Sequence, residues 1–307
     1  MVTSNSSETL APKTALATYG KSFHWAKRFL GNRMGTSAAQ LYQFCRVLDD
    51  MADGDINDGP HRLLEIRKDL STIGKALDPL MVTHQTFLAE HQFSRDVIVA
   101  LINGLLSDQR LVRFTSESQL LRYAYHVAGT VGILMCNVLD CSDDRALDHA
   151  IDLGIAMQLT NIARDILDDA TMDRRYLPES WVGKLEPSQI LIFAKTPSDE
   201  AALPIYAALE KLLLLADTYY KSGMAGLTYL PIRAHISIAI AALVYREIGI
   251  QLSKKDYAWH QGREVTSRFT KLICTIKALK SLSQRWRPIA RHNTDLHHVL
   301  KGLPHVR

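Results

Sequence analysis

The sequence predicts an all-α protein, on three observations. Apolar residues recur at spacings of three and four through most of the chain, almost no run alternates as a half-buried strand would, and the breaks carry turn chemistry. Helices are expected at roughly 16–30, 36–53, 60–73, 84–91, 95–107, 117–139, 144–170, 178–182, 187–193, 199–223, 231–254 and 265–284. Between them, "GDINDGP" (54–60), "ALDP" (76–79), "DCSDD" (140–144) and "KTPSDEAALP" (195–204) supply the Gly, Pro and Asp that end helices. At 307 residues, 47% of them hydrophobic, the chain is long enough for one large core. The pattern divides it into a polar lead-in (1–15), a helical domain (16–285) and a basic, His-rich, aperiodic tail (286–307).

Composition excludes several classes. The net charge of +4 is mild and dispersed, with no basic block of the sort that grips nucleic acid. The four cysteines form no C-x-x-C pair, so buried free thiols are expected. "MVTSNSSETLAPKT" has neither a basic start nor an apolar run, and the longest apolar stretch, 234–245, is too short to span a bilayer. A cytoplasmic location is the expectation. His297 and His298 in the tail are expected to be solvated rather than metal-bound.

Chemistry concentrates in two acidic stripes. Gln158, Asn161, Asp165 and Asp169 are spaced 3, 4 and 4, one face of a helix, and Gly154 extends that face back by a turn. Tyr42, Arg46, Asp49 and Asp53 are spaced 4, 3 and 4, a second such face. Carboxylates in the last turns of a helix oppose its dipole, and like charges at i, i+4 repel by a few tenths of a kcal/mol, roughly. A solvated helix face explains one D-x-x-x-D motif; two, each beside an arginine, call for a cation. Mg²⁺ prefers such hard oxygen ligands and commonly bridges carboxylates to a substrate's phosphates. Arg46 and Arg164 add charge-assisted contacts to the same phosphates.

A third segment, "YAYHVAGTVGILMCNVL" (123–139), carries small residues at Ala124, Ala128 and Gly132, flanked by Val127 and Val131. Such a stripe permits close helix packing or lines an apolar channel; beside a metal–diphosphate site the channel is favoured. Tyr123 and Tyr125 add aromatic faces that stabilise cations. With no G-x-S-x-G, Cys–His pairing or G-x-G-x-x-G in the chain, the expected reaction is departure of an allylic diphosphate inside a dry cavity, giving a carbocation.

These strings resemble the head-to-head trans-prenyltransferases, the squalene and phytoene synthases, over roughly residues 16 to 285. "YQFCRVLDDMAD" is similar to the family's first aspartate-rich motif, "YAYHVAGTVG" to its Y-x-x-x-V-A-G-x-V-G signature, and "QLTNIARDILDDATMDRRYLP" to its second aspartate-rich motif. "LVYREIGIQL" adds to the likeness with bacterial phytoene synthases. The resemblance implies an isoprenoid-synthase fold, a single helical bundle around a central apolar cavity. It implies Mg²⁺ or Mn²⁺ at Asp49, Asp53, Asn161, Asp165 and Asp169, with Tyr123, Arg46 and Arg164 as further catalytic residues. Ser22, Gln158, Arg174, Tyr245 and Arg263 join Val127, Ala128, Val131, Gly132 and Asn161 as substrate-binding residues. Gly20 stands where some relatives carry a hydroxyl, leaving one phosphate donor fewer.

The implied reaction joins two geranylgeranyl diphosphates through prephytoene diphosphate to phytoene, in carotenoid biosynthesis. The alternative is the same chemistry on farnesyl diphosphate, giving dehydrosqualene, presqualene diphosphate or squalene. Only squalene formation needs hydride, so no NADPH is expected. A terpene cyclase would pair D-D-x-x-D with an Asn/Ser/Glu triad, and a non-catalytic scaffold relative would lose its carboxylates; the residues favour neither. Expected partners are the prenyl diphosphate substrates, loosely the inner face of the membrane, and the prenyl diphosphate synthase or desaturase of the same pathway.

Overall fold

A computed structural model of the chain describes residues 10–72, 78–286 and 291–307. Residues 1–9 of the lead-in, 73–77 with the last residue of the helix expected over 60–73, and 287–290 of the tail lie outside the described residues. The rest is helical: the sole extended pairing among the described residues is an isolated bridge between Arg113 and Arg175.

Short helices α1 (Pro12–Tyr19) and α2 (Lys21–Lys27) lead into α3 (Asn32–Asp53), α4 (Gly59–Ser71), α5 (Pro79–Glu90) and α6 (Arg95–Ser107). Where the sequence suggested one helix over 16–30, the chain breaks at Gly20, and the first helix begins at Pro12, a residue suited to an opening turn. Leu41, Phe44, Leu48 and Met51 of α3 are fully buried, and the helix ends at Gly54 in the left-handed region (φ 80°). Its opposite stripe is left to face a cavity.

The helix expected over 117–139 is three elements. α7 (Glu117–Ala124) runs into a π-helical turn, Tyr125–Gly129, and then α8 (Thr130–Val138). The wider turn advances the phase of every later side chain. Ala124 is therefore buried in the core, while Val127, Ala128, Val131 and Gly132 share the cavity wall with Tyr123. This corrects the simple stripe of Ala124, Ala128 and Gly132 that α-helical spacing suggests.

α9 (Arg145–Thr171) is the 27-residue hub. Ile151, Ile155, Leu159, Ile162 and Ile166 form its buried stripe, each contributing about 1.5–3 kcal/mol by leaving water. It is packed by α8, the π-turn, α11 (Pro187–Phe193), α12 (Leu203–Ala225) and α13 (Ile232–Lys254), with α10 (Glu179–Val182) alongside α12. α13 in turn carries α2 and α14 (Arg268–Ser281). Among the described residues α13 is the one helix long and apolar enough to cross a membrane, and half of its apolar window is buried inside the bundle.

The tail departs from its expected solvated state. Residues Thr294–Leu300 form a 3₁₀ helix, and Leu300 is fully buried. Its backbone carbonyls accept hydrogen bonds from Arg122 (to Val299, 2.8 Å), Tyr219 (to Leu296, 2.8 Å) and Tyr125 (to Pro304, 2.5 Å). His297 is buried too, because its Nε2 meets the buried Asp152 of α9 at 2.9 Å; His298 points outward.

Candidate active site

A cavity of about 400 Å³ runs through the bundle, apolar along most of its wall. Its wall is built by α2, α3, α6, the α7–π–α8 segment, α9 and α13. Leu41, Leu101, Leu105, Met135, Leu153 and Ile238 line its depth, while Arg46, Asp49, Asp108, Gln158 and Asn161 give it one polar region. Glycines allow the surrounding helices to close on it. A Cβ on Gly132 would lie 2.2 Å from the Ala150 carbonyl oxygen, and one on Gly154 would lie 2.3 Å from that of Ala128. The small-residue stripe therefore serves both readings: its glycines seat α8 and the π-turn on α9, and Val127, Ala128 and Val131 face the void.

On α3, Tyr42, Arg46 and Asp49 line the cavity and Asp53 follows one turn later. Arg46 Nη1 donates to Asp49 Oδ2 at 3.0 Å, and the same guanidinium pairs with the buried Asp50. On α9, Gly154, Gln158 and Asn161 line the cavity, and Asp165 and Asp169 continue toward the helix end. Asp165 receives two guanidiniums, Arg164 (2.7 and 2.5 Å) and Arg263 (2.8 and 3.1 Å). Asp168 faces solvent.

The two helix ends share one mouth. The Arg174 amide returns to the Asp169 carbonyl (2.9 Å), and its guanidinium reaches across to Asp53 (3.1 Å). Asp108, at the C-cap of α6, stands between the stripes. Its charge adds to the field at both Asp49 and Asp169. Burial pushes Asp49 up to about 7 against the lowering charge of Arg46, with Asp53, Asp50 and Asp108 adding to the rise. Burial and then Asp165 push Asp169 up to about 8. Burial would lower Arg174, yet Tyr176, Asp108 and Asp53 hold it raised. The mouth thus brings together more carboxylates (Asp49, Asp50, Asp53, Asp108, Asp165 and Asp169) than arginines (Arg46, Arg164, Arg174 and Arg263).

Asp108, on the cavity wall, and Tyr176, bonded to it, are residues of the site that sequence reading did not single out. Tyr123 donates to Asp108 Oδ2 (2.7 Å) and Tyr176 to Oδ1 (3.0 Å); the two rings stack at 5.0 Å, with Phe114 against both. Burial raises Asp108 to about 6 against these donated hydrogen bonds. On the far side Phe23 lies 5.1 Å from Tyr245 and 6.2 Å from Tyr42, a second aromatic group on the wall. Gly20 makes room for it, since a Cβ there would touch the Tyr42 ring at 3.0 Å. Ser22 sits on α2 but is not among the residues lining the cavity; its neighbour Phe23 is.

The donor set suits a hard divalent cation. Asp49 lines the cavity beside the buried Asn161 Oδ1, which has no hydrogen-bond partner among the described residues, and Asp53, Asp165 and Asp169 follow on the same two helices, so every candidate ligand is a hard oxygen. Cys45, one turn before Asp49, also lines the cavity, but burial and the Asp49 charge push its thiol up to about 12, which keeps it neutral and a poor ligand. Elsewhere, one donor atom each from Asp152, His292 and His297 lies within 4.8 Å of the others; the two imidazoles each place Nε2 on an Asp152 oxygen (2.7 and 2.9 Å), and none of the three is among the cavity-lining residues.

The model of the squalene/phytoene synthase family matches residues 16–270. A phytoene synthase of Pseudescherichia vulneris is 35% identical over 280 residues, covering 86% of this chain and 88% of that protein. A 15-cis-phytoene synthase of a Paracoccus species is 34% identical over 274 residues, with the same coverages. Among solved structures, a dehydrosqualene synthase superposes with a TM-score of 0.73 over 89% of this chain and 95% of its own, at 23% identity, which supports the fold.

Proposed function

The chain belongs to the squalene/phytoene synthase family, and from that premise we propose that it joins two geranylgeranyl diphosphates head to head, through prephytoene diphosphate, to phytoene with release of diphosphate. One observation carries this reading: two carboxylate-bearing helix ends and their arginines meet at the polar mouth of an apolar cavity. The relatives at 34–35% identity bear the phytoene synthase name, whereas the dehydrosqualene synthase likeness speaks to fold alone. The farnesyl diphosphate alternative therefore has less behind it.

Asp49, Asp53, Asn161, Asp165 and Asp169 would hold Mg²⁺ or Mn²⁺, which when bound supplies Lewis-acid neutralisation of the leaving diphosphate. Arg46, Arg164, Arg174 and Arg263 already sit at the mouth on carboxylate partners, and their planar forks bind phosphate oxygens. Gln158 orients the same head group. The apolar wall, with Val127, Ala128, Val131 and Gly132, holds the hydrocarbon and keeps water from the cation. Tyr123 and Tyr245 offer ring faces to that cation. Asp108 fixes the Tyr123 and Tyr176 hydroxyls, so those rings cannot swing away. Loss of a proton ends the sequence, and no hydride donor is required. Ser22 is assigned to the phosphate side by the match of its segment to the family's pattern. The water-insoluble product suggests work in the cytoplasm against the inner membrane face, next to the enzymes that supply the diphosphate and desaturate phytoene.

The test is incubation of purified protein with geranylgeranyl or farnesyl diphosphate, with and without Mg²⁺ and NADPH, followed by product identification. Phytoene from the C20 substrate, dependent on Mg²⁺ and indifferent to NADPH, is the expected result. Exclusive formation of C30 products, or no diphosphate released from either substrate, would overturn the reading.

A further inference from the structure

α14 wears its apolar side outward. Its inner face is small and polar: Cys274, Thr275, Ala278 and Ser281 are buried, Thr275 Oγ1 accepts from Trp25 Nε1 (3.1 Å), and Ser281 Oγ bonds His235 Nε2 (2.9 Å). Its outer face carries Phe269 (71% exposed), Leu272 (50%), Ile276 (50%) and Leu279 (47%). Val265 precedes this row and Trp286, 85% exposed, follows it. A surface helix of a globular protein ordinarily has the reverse arrangement. Contiguous exposed apolar surface on this scale marks an interaction site.

Cations dominate the charge around the row, and Glu264, just before Val265, is held by Lys255. From Val265 to Thr294 the sequence contains no Asp or Glu but seven Lys and Arg residues. Arg268, Lys277 and Lys280 are exposed on α14 itself, beside the apolar row. A second copy of the chain, meeting this face across a dyad, would set cation against cation. An anionic lipid surface offers both what the apolar row and what the cations need.

We propose that α14, with Val265 and Trp286, is the face by which the protein lies on an anionic phospholipid bilayer. The placement of α14 gives the face a use, a point that rests on the prenyl diphosphate reading. It packs on α13, whose Ser237, Ile238, Ala241 and Tyr245 line the cavity. One helix layer thus separates the bilayer from the void that would hold the hydrocarbon, a short path for a product that water does not dissolve.

The experiment is co-sedimentation of the full chain with phosphatidylcholine vesicles, with and without phosphatidylglycerol, beside diphosphate release assayed in detergent. Wild type is expected to bind the phosphatidylglycerol vesicles and to lose binding as salt rises. L272E/I276E, both at exposed positions, should weaken partitioning ~100-fold, and K277E/K280E roughly tenfold. Both variants should keep the wild-type release rate in detergent. Equal binding by L272E/I276E and wild type overturns the proposal, as does failure of wild type to bind anionic vesicles. A lipid-free dimer that L272E/I276E converts to monomer also overturns it, in favour of a protein interface. Vesicle binding lost in L272E/I276E, with no release by any form of the protein, supports the docking face and counts against the functional reading instead.

Discussion

Asp108 accepts hydrogen bonds from Tyr123 and Tyr176 at the centre of the polar mouth, so its removal tests the site residue by residue. Asp108→Asn keeps the volume but can no longer accept from both hydroxyls on equal terms. We expect turnover to fall ~100-fold, the scale of one lost preorganised group, with circular dichroism unchanged. An unaltered steady-state rate would remove Asp108 from the site. Asp49→Asn and Asp165→Asn are expected to abolish turnover; the first should hold or raise the thermal midpoint by relieving repulsion from Asp53, Asp50 and Asp108, and the second should lower it because Arg164 and Arg263 lose their shared partner. If either retained near-native rates at low Mg²⁺, the cation assignment would be wrong. The stripes were legible from spacing because their members share a helix. Asp108 was not: its partners lie 15 and 68 residues away, a pairing no local periodicity encodes.

Among the elements, the seam between the π-turn and α9 decides whether the cavity exists. Gly154→Ala drives a methyl into the Ala128 carbonyl, where rigid backbone on both sides blocks relief. Overpacking of this kind costs about 1–3 kcal/mol, so the thermal midpoint should drop by several degrees, and the Mg²⁺-dependent rate should fall with it. A variant as stable as wild type would show that the helices can part without harm. The π-turn explains why a helical wheel misplaced Ala124: one extra residue in a turn rotates everything downstream, and sequence gives no sign of it.

Across the whole molecule, the C-terminal segment is a clasp rather than an appendage. Asp152 of α9 accepts from His292 (2.7 Å), His297 (2.9 Å) and Ser222 of α12 (2.5 Å), with Asp148 and His149 beside them. Burial would lower the His292 pKa, yet the hydrogen bond and charge of Asp152 raise it above its ordinary 6.5. A raised imidazole stabilises the fold fully below 6.5, and that contribution disappears as pH climbs through the folded value. As pH rises above 6.5 the wild-type melting temperature should therefore decline more steeply than that of His292→Gln. Parallel profiles in differential scanning fluorimetry would show that His292 carries no charge in the clasp. Asp152→Asn should lower the midpoint at every pH in that range, since two imidazoles and a hydroxyl lose their common acceptor.

The sequence alone determined the helical class, most helix positions, the two acidic stripes and the chemistry they favour. Each of these is written in short-range spacing, which a helix converts directly into a shared face. The meeting of Asp53 with Arg174, the insertion of Asp108 between the stripes and the burial of His297 were decided by tertiary structure. So was the outward turn of the α14 apolar row. Periodicity tells which side of a helix is apolar; only the neighbours that cover it decide whether that side faces a core, a cavity or the outside.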